Sequence, residues 1–180
     1  MLYSEIVIAG CGNPLFGDDG FGEAVIEELQ KLSLPDNVTI QDAGLGGPHF
    51  IFTLLDPEVT KKLIIVDCAS WSDKEPGTID ILRVRDLPPG AYRDAHSWDL
   101  MEPLQRLDDK MDITIIGCQP AKVTFPDMDI GLSDEVKKAI PNAVQKILEI
   151  IGVDYGTTIE CLQEKHQRGT AQTGGITETR

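Results

Sequence analysis

The run Gly10-Cys11-Gly12-Asn13-Pro14-Leu15-Phe16-Gly17-Asp18-Asp19-Gly20-Phe21-Gly22 constrains the fold more than any other stretch of the chain. The apolar residues Ile6-Val7-Ile8-Ala9 feed into it, and Phe21, Val25, Ile26, Leu29 and Leu32 follow at helical spacing. A strand, a glycine-rich turn and a helix are therefore expected, with the helix running over about 19–32. Glycine lets a backbone take positive φ and pass close to a neighbour. Asp18 is expected as the N-cap, and the helix dipole favours an acid at Asp19. A phosphate-binding loop would present bare N–H groups here, and two carboxylates would repel that ligand. The third glycine of a dinucleotide fingerprint is also missing, since Leu15 takes its place. A cation suits this turn better.

Four more strand signals follow, at about 38–42, 62–68, 78–84 and 113–117, and helical patterns separate most of them. Lys62-Leu63-Ile64-Ile65-Val66-Asp67-Cys68 is apolar on both faces, as a central parallel strand should be. Segment 78–84 is more polar and is expected as an antiparallel edge. Ser97 and Ser133 each precede a helical pattern, and Pro141 is expected to interrupt or kink the last one. The fold class expected is α/β: one domain over 1–151, a twisted, mostly parallel sheet, and helices on both faces. The polar, glycine- and threonine-rich residues 152–180 are expected to form a weakly ordered tail.

Composition excludes several classes. A net charge of −14 argues against nucleic acid or an anionic membrane surface as a primary partner. No apolar run approaches the roughly 18 residues of a membrane span, the first residues lack a signal-peptide layout, and a cytoplasmic location is expected. Cys11, Cys68, Cys118 and Cys161 form no CxxC pair, so neither a zinc knuckle nor a disulfide framework is indicated. A G-x-S-x-G elbow is absent, as is His-Glu-x-x-His.

In a parallel sheet, ligands gather beyond the carboxyl ends of the strands. Asp18 and Asp19 should lie there, with Asp42, Asp67 and Gln119, and His96 sits in a loop able to reach the same edge. Two carboxylates and an imidazole would offer an oxygen/nitrogen site to a divalent transition metal. Spacing alone leaves the plainer readings open: Asp19 as a first-turn acid, Asp67 as an acceptor for loop N–H groups, His96 as a solvated loop histidine. His49 and the Cys161/His166 pair have weaker claims.

The glycine run, together with Ile65-Val66-Asp67-Cys68-Ala69, His96 with Leu100, Ile116-Gly117-Cys118-Gln119-Pro120 and Gly131-Leu132-Ser133, resembles the nickel-iron hydrogenase maturation endopeptidases over about residues 4–151. Gly44-Leu45-Gly46-Gly47-Pro48-His49 and the long tail look most like the archaeal branch serving deazaflavin-reducing hydrogenases. The resemblance implies a five-stranded twisted sheet and removal of a C-terminal extension from the hydrogenase large-subunit precursor once nickel is in place. It carries the metal-contacting positions to Asp19, Asp67 and His96, although many relatives have glutamate at the first. It carries substrate recognition to the loop of Asp42, Gly44 and Gly46. The nickel would come with the substrate, and no tightly bound cofactor is expected. Asp18 is the candidate general base. A zinc hydrolase carrying its own metal, a non-catalytic nickel chaperone or precursor-binding protein, and a nucleotide-binding module are the alternatives.

Overall fold

The computed structural model describes residues 3–44, 47–86 and 101–154, by backbone alone at 47–49 and 101–103. Five strands, β1 (Ile6–Cys11), β2 (Val38–Gly44), β3 (Lys62–Cys68), β4 (Ile79–Arg83) and β5 (Asp112–Cys118), form one sheet in the order β2-β1-β3-β5-β4. The first four members of that order run parallel, and β4 pairs antiparallel with β5. The expected strands and the antiparallel edge are therefore present, with β2 two residues longer than expected.

Alternation along the central strands explains the two layers. Ile8, Ile64, Val66 and Ile116 point to one face. There they meet α1 (Phe21–Gln30) and α4 (Asp134–Ile151), whose Val25, Leu29, Val144 and Ile147 are buried. Val7, Ala9, Leu63, Ile65, Ile113 and Ile115 point to the other face. Here α2 (Gly47–Thr53) and α3 (Met101–Asp108) supply Ile51 and Leu104. Burying each such side chain contributes about 1.5–3 kcal/mol, which makes β1, β3 and β5 the rigid centre of the molecule.

Two local expectations need correction. The helix expected to begin at Asp19 is preceded by a separate 3-10 turn, Asp18–Gly20, and the cap positions fall to Gly17 and Gly20 without any side-chain cap. Asp18 is therefore no N-cap, because its carboxylate is drawn inward to distant backbone. Nor does Pro141 break α4, which runs unbroken from Ser133, whose Oγ accepts Val136 N–H, to Gly152. Proline deprives the helix of one N–H donor, and the packed Ala139, Ala143 and Val144 hold the turns on either side. Residues 155–180, most of the expected tail, lie outside the described residues, as do Ser97 and Trp98 of the capped helix expected there.

Candidate active site

Because β1, β2, β3 and β5 are parallel, their carboxyl ends share one edge, and the register sets the level of each acid. Asp42 pairs with Gly10, Gly10 with Val66, and Val66 with Ile116. Asp67 stands one residue further out, level with Gly117. The turn after β1 folds back over this edge because its glycines leave no room for side chains. A Cβ on Gly12, whose φ is +111°, would lie 1.9 Å from the carbonyl oxygen of Asp19. A Cβ on Gly22 would lie 2.2 Å from the Cys11 carbonyl oxygen and 2.6 Å from that of Val66. The acidic turn is thus pressed against the ends of β1 and β3.

Asp19 is 2% exposed, and its Oδ2 accepts the Asn13 N–H at 2.9 Å. Asn13 is fixed in turn, since its Oδ1 accepts the Leu15 N–H at 3.1 Å. Asp67 is 3% exposed, and its Oδ1 accepts the Cys68 N–H at 2.7 Å. Backbone donors therefore orient both carboxylates. Next to Asp67, Cys68 reaches the acidic turn: its thiol donates to the Asp18 carbonyl oxygen at 2.7 Å. Its pKa is raised well above the ordinary range, first by burial and then by Asp67, Cys118, Asp19 and Asp18. Burial and then Asp18 push Cys118 up to about 12. Thiols held protonated in this way are poor nucleophiles. The negative charge at this edge comes from the aspartates.

Asp18 has a different occupation from its neighbour. It is fully buried and accepts four hydrogen bonds from residues over a hundred positions away. Oδ2 takes Ala121 N–H at 2.8 Å, Lys122 N–H at 2.9 Å and Ser133 Oγ–H at 3.0 Å; Oδ1 takes Ser133 N–H at 2.6 Å. A general base needs a lone pair facing the reacting proton. The geometry of Asp18 is that of an anchor for the segment between β5 and α4, and it does not fit the base expected from sequence.

Asp42 closes an Asx turn at the end of β2: its Oδ1 accepts the Gly44 N–H at 2.9 Å, and Gly44 takes φ +46°. Across from it, Glu23 of α1 is raised in pKa by burial, by Asp42 and by Glu27. His96 and Gly46 lie outside the described residues, so the expected metal set is represented by Asp19 and Asp67. Among the described residues, no group of three or more His, Cys, Asp or Glu side chains is placed to hold a metal ion. Sequence reasoning missed the anchoring role of Ser133, which caps α4 and donates to Asp18 with the same hydroxyl. Gln119, expected at this edge, stands at the end of β5, where its Oε1 accepts the Trp71 N–H at 2.7 Å and ties the loop after β3 to β5.

Comparison with known proteins agrees with this arrangement. The hydrogenase maturation protease family model matches residues 24–150. The delta subunit of coenzyme F420 hydrogenase from Methanothermobacter thermautotrophicus is 46% identical over 154 residues, spanning 83% of this chain and 96% of that one. The hydrogenase 2 maturation protease of Escherichia coli is 29% identical over 151 residues, covering 80% and 88% respectively. Among solved structures, the hydrogenase-maturating endopeptidase HybD of E. coli superposes with a TM-score of 0.68 at 28% identity, covering 82% of this chain and 91% of that one. A nickel-iron hydrogenase maturation protease, HycI, from Thermococcus kodakarensis gives 0.64 at 25% identity, covering 83% and 93%. The acidic strand-end edge and these matches lead to one assignment: the chain belongs to the hydrogenase maturation protease family and is a peptide hydrolase.

Proposed function

We propose that this endopeptidase removes the C-terminal extension of a nickel-iron hydrogenase large-subunit precursor and senses substrate-bound nickel through Asp19, Asp67 and His96. The observation that carries the reading is the pair of carboxylates, each oriented by a backbone N–H and 2–3% exposed, at one sheet edge. Like charges drawn out of water at one place repel, and a divalent cation relieves that repulsion. Oxygen donors with an imidazole suit a first-row divalent metal. The similarity to a coenzyme F420 hydrogenase subunit supports a deazaflavin-reducing hydrogenase as the source of the precursor.

In this reading the precursor brings its own nickel, and the protein has no tightly bound cofactor. Asp19 and Asp67 meet the ion as it arrives, so the peptide next to it is held in one orientation before cleavage. Their charge favours a metal-loaded precursor over an empty one. Asp42 and Gly44, beside them at the end of β2, contact the substrate backbone, with Gly46 following. Among the described residues no helix is long and apolar enough to cross a membrane.

Mass spectrometry of the precursor, nickel-loaded and nickel-free, tests this directly. Loss of a discrete C-terminal peptide from the loaded form alone is expected. Equal cleavage of both forms refutes nickel sensing. Binding without cleavage turns the reading to a nickel chaperone or precursor-binding protein.

A further inference from the structure

The segment between β5 and α4 carries apolar side chains that the fold does not bury. Met128 is 65% and Ile130 73% exposed, and Val123, Phe125 and Leu15 are exposed with them. Scattered apolar residues on a surface need no explanation, whereas a contiguous set marks an interaction site. These are held together. Val123 bridges to Gly17 and Asp129 to Phe16, while Asp129 N–H donates to the Leu15 carbonyl at 2.9 Å and Thr124 N–H to that of Phe16 at 3.3 Å. The Phe16 and Phe125 rings meet edge to face at 5.1 Å. The ridge is thus built on residues 15–17, immediately before Asp18 and Asp19.

Beside the ridge runs an open groove of about 160 Å³ between α1 and the chain leading into α4, lined by Pro14, Glu23, Glu27, Ile130 and Leu132 among others. Small-molecule pockets occupy roughly 300–1,000 Å³, so this groove suits a side chain of a protein partner better than a free ligand. Its floor is apolar and its wall carries two carboxylates.

We propose that the ridge and groove dock an apolar segment of the substrate protein that carries a lysine or arginine, Met128 and Ile130 covering its apolar side chains and Glu23 and Glu27 receiving the cation. Two observations favour this occupant over a second copy of the chain. The ridge is bonded to residues 15–17, which lead straight into Asp18 and Asp19, and Gly17 and Gly20 of that same turn line the groove, so a substrate held at the aspartates lies next to it. Its acidic wall belongs to a chain of net charge −14, which another copy would repel and a basic segment would complement. The inference rests on the endopeptidase reading above, and it adds where the precursor is gripped.

Ile130→Ser, Met128→Ser and Glu27→Lys in the full-length protein test it against the nickel-loaded large-subunit precursor. Each changes an exposed or groove-lining position away from the aspartates. Each should raise KM about tenfold and leave kcat within about twofold, as loss of uniform binding requires. Wild-type KM should rise with salt, and that of Glu27→Lys should rise less. Unchanged KM in all three, or a loss confined to kcat, overturns the docking site while cleavage by the wild type upholds the endopeptidase. A wild-type dimer that Ile130→Ser dissociates without any effect on KM assigns the ridge to a second copy instead. If the wild type cuts neither form of the precursor, the endopeptidase reading fails. Precursor affinity of wild type against Ile130→Ser then decides the docking site alone: a tenfold loss upholds it and equal affinity overturns it.

Discussion

Asp18→Asn separates an anchor from a catalytic base. The amide has nearly the shape of the carboxylate but only one acceptor oxygen. Its better orientation puts that oxygen where Oδ2 lies, keeping Ala121 N–H, Lys122 N–H and Ser133 Oγ–H, and turns the NH2 group onto Ser133 N–H. One bond to a charged acceptor is lost, worth about 1.5–3 kcal/mol, and a buried N–H is left facing another donor. The three surviving bonds lose their charge assistance, which roughly doubles a hydrogen bond. A destabilisation of about 4 kcal/mol results, a large share of the roughly 5–15 kcal/mol that holds a domain folded. With a urea m-value of about 2.5 kcal/mol/M, the midpoint followed by circular dichroism should fall by about 1.5 M. A midpoint within about 0.3 M of wild type refutes the anchor. Wild-type stability combined with lost cleavage would return Asp18 to the chemistry.

Asp67→Asn and His96→Ala should each abolish cleavage of the loaded precursor and keep a cooperative unfolding transition; near-native turnover by either removes that residue from the site. Gly12→Ala should cost more than about 3 kcal/mol, read as a drop in thermal midpoint, because its Cβ would meet the Asp19 carbonyl at 1.9 Å from a positive-φ backbone. An unchanged midpoint would mean that the turn is not packed as described. Cys118 keeps its proton to about 12 when folded, whereas an unfolded cysteine loses it near 8.5. The unfolded state therefore binds fewer protons above pH 8.5, so stability present below that pH declines as pH rises towards 12. The loss should reach about 1.4 kcal/mol by pH 9.5 and shrink in Cys118→Ala; equal alkaline loss in both proteins would exclude Cys118 as its source.

Local pattern reveals what local forces decide. The all-apolar run 63–66 announces a central strand because both of its faces are buried. Charges interleaved among the apolar residues of 79–83 announce an edge because only one neighbour covers it. Ser133 announces a helix start because its cap partner is three residues on. Asp18 is misread by the same logic, since a cap is the local role for an aspartate before a helix, and its true partners at 121, 122 and 133 are invisible to spacing. The apolar ridge escapes for a related reason. Val123, Met128 and Ile130 follow neither a helical nor a strand period, so only the bridges to Phe16 and Gly17 show that they form one face.

Adjacent aspartates pointing to different tasks have a thermodynamic consequence. Asp18 fastens the segment after β5 to the turn, and the next residue presents its carboxylate at the strand ends. Whatever free energy a bound protein gains by settling that segment is linked to the placement of Asp19, and linkage is reciprocal. If docking improves the grip on an incoming cation by some factor, the cation improves docking by the same factor. A precursor lacking its ion would then leave sooner as well as fail to be cut, so rejection of the immature substrate would begin in the dissociation rate.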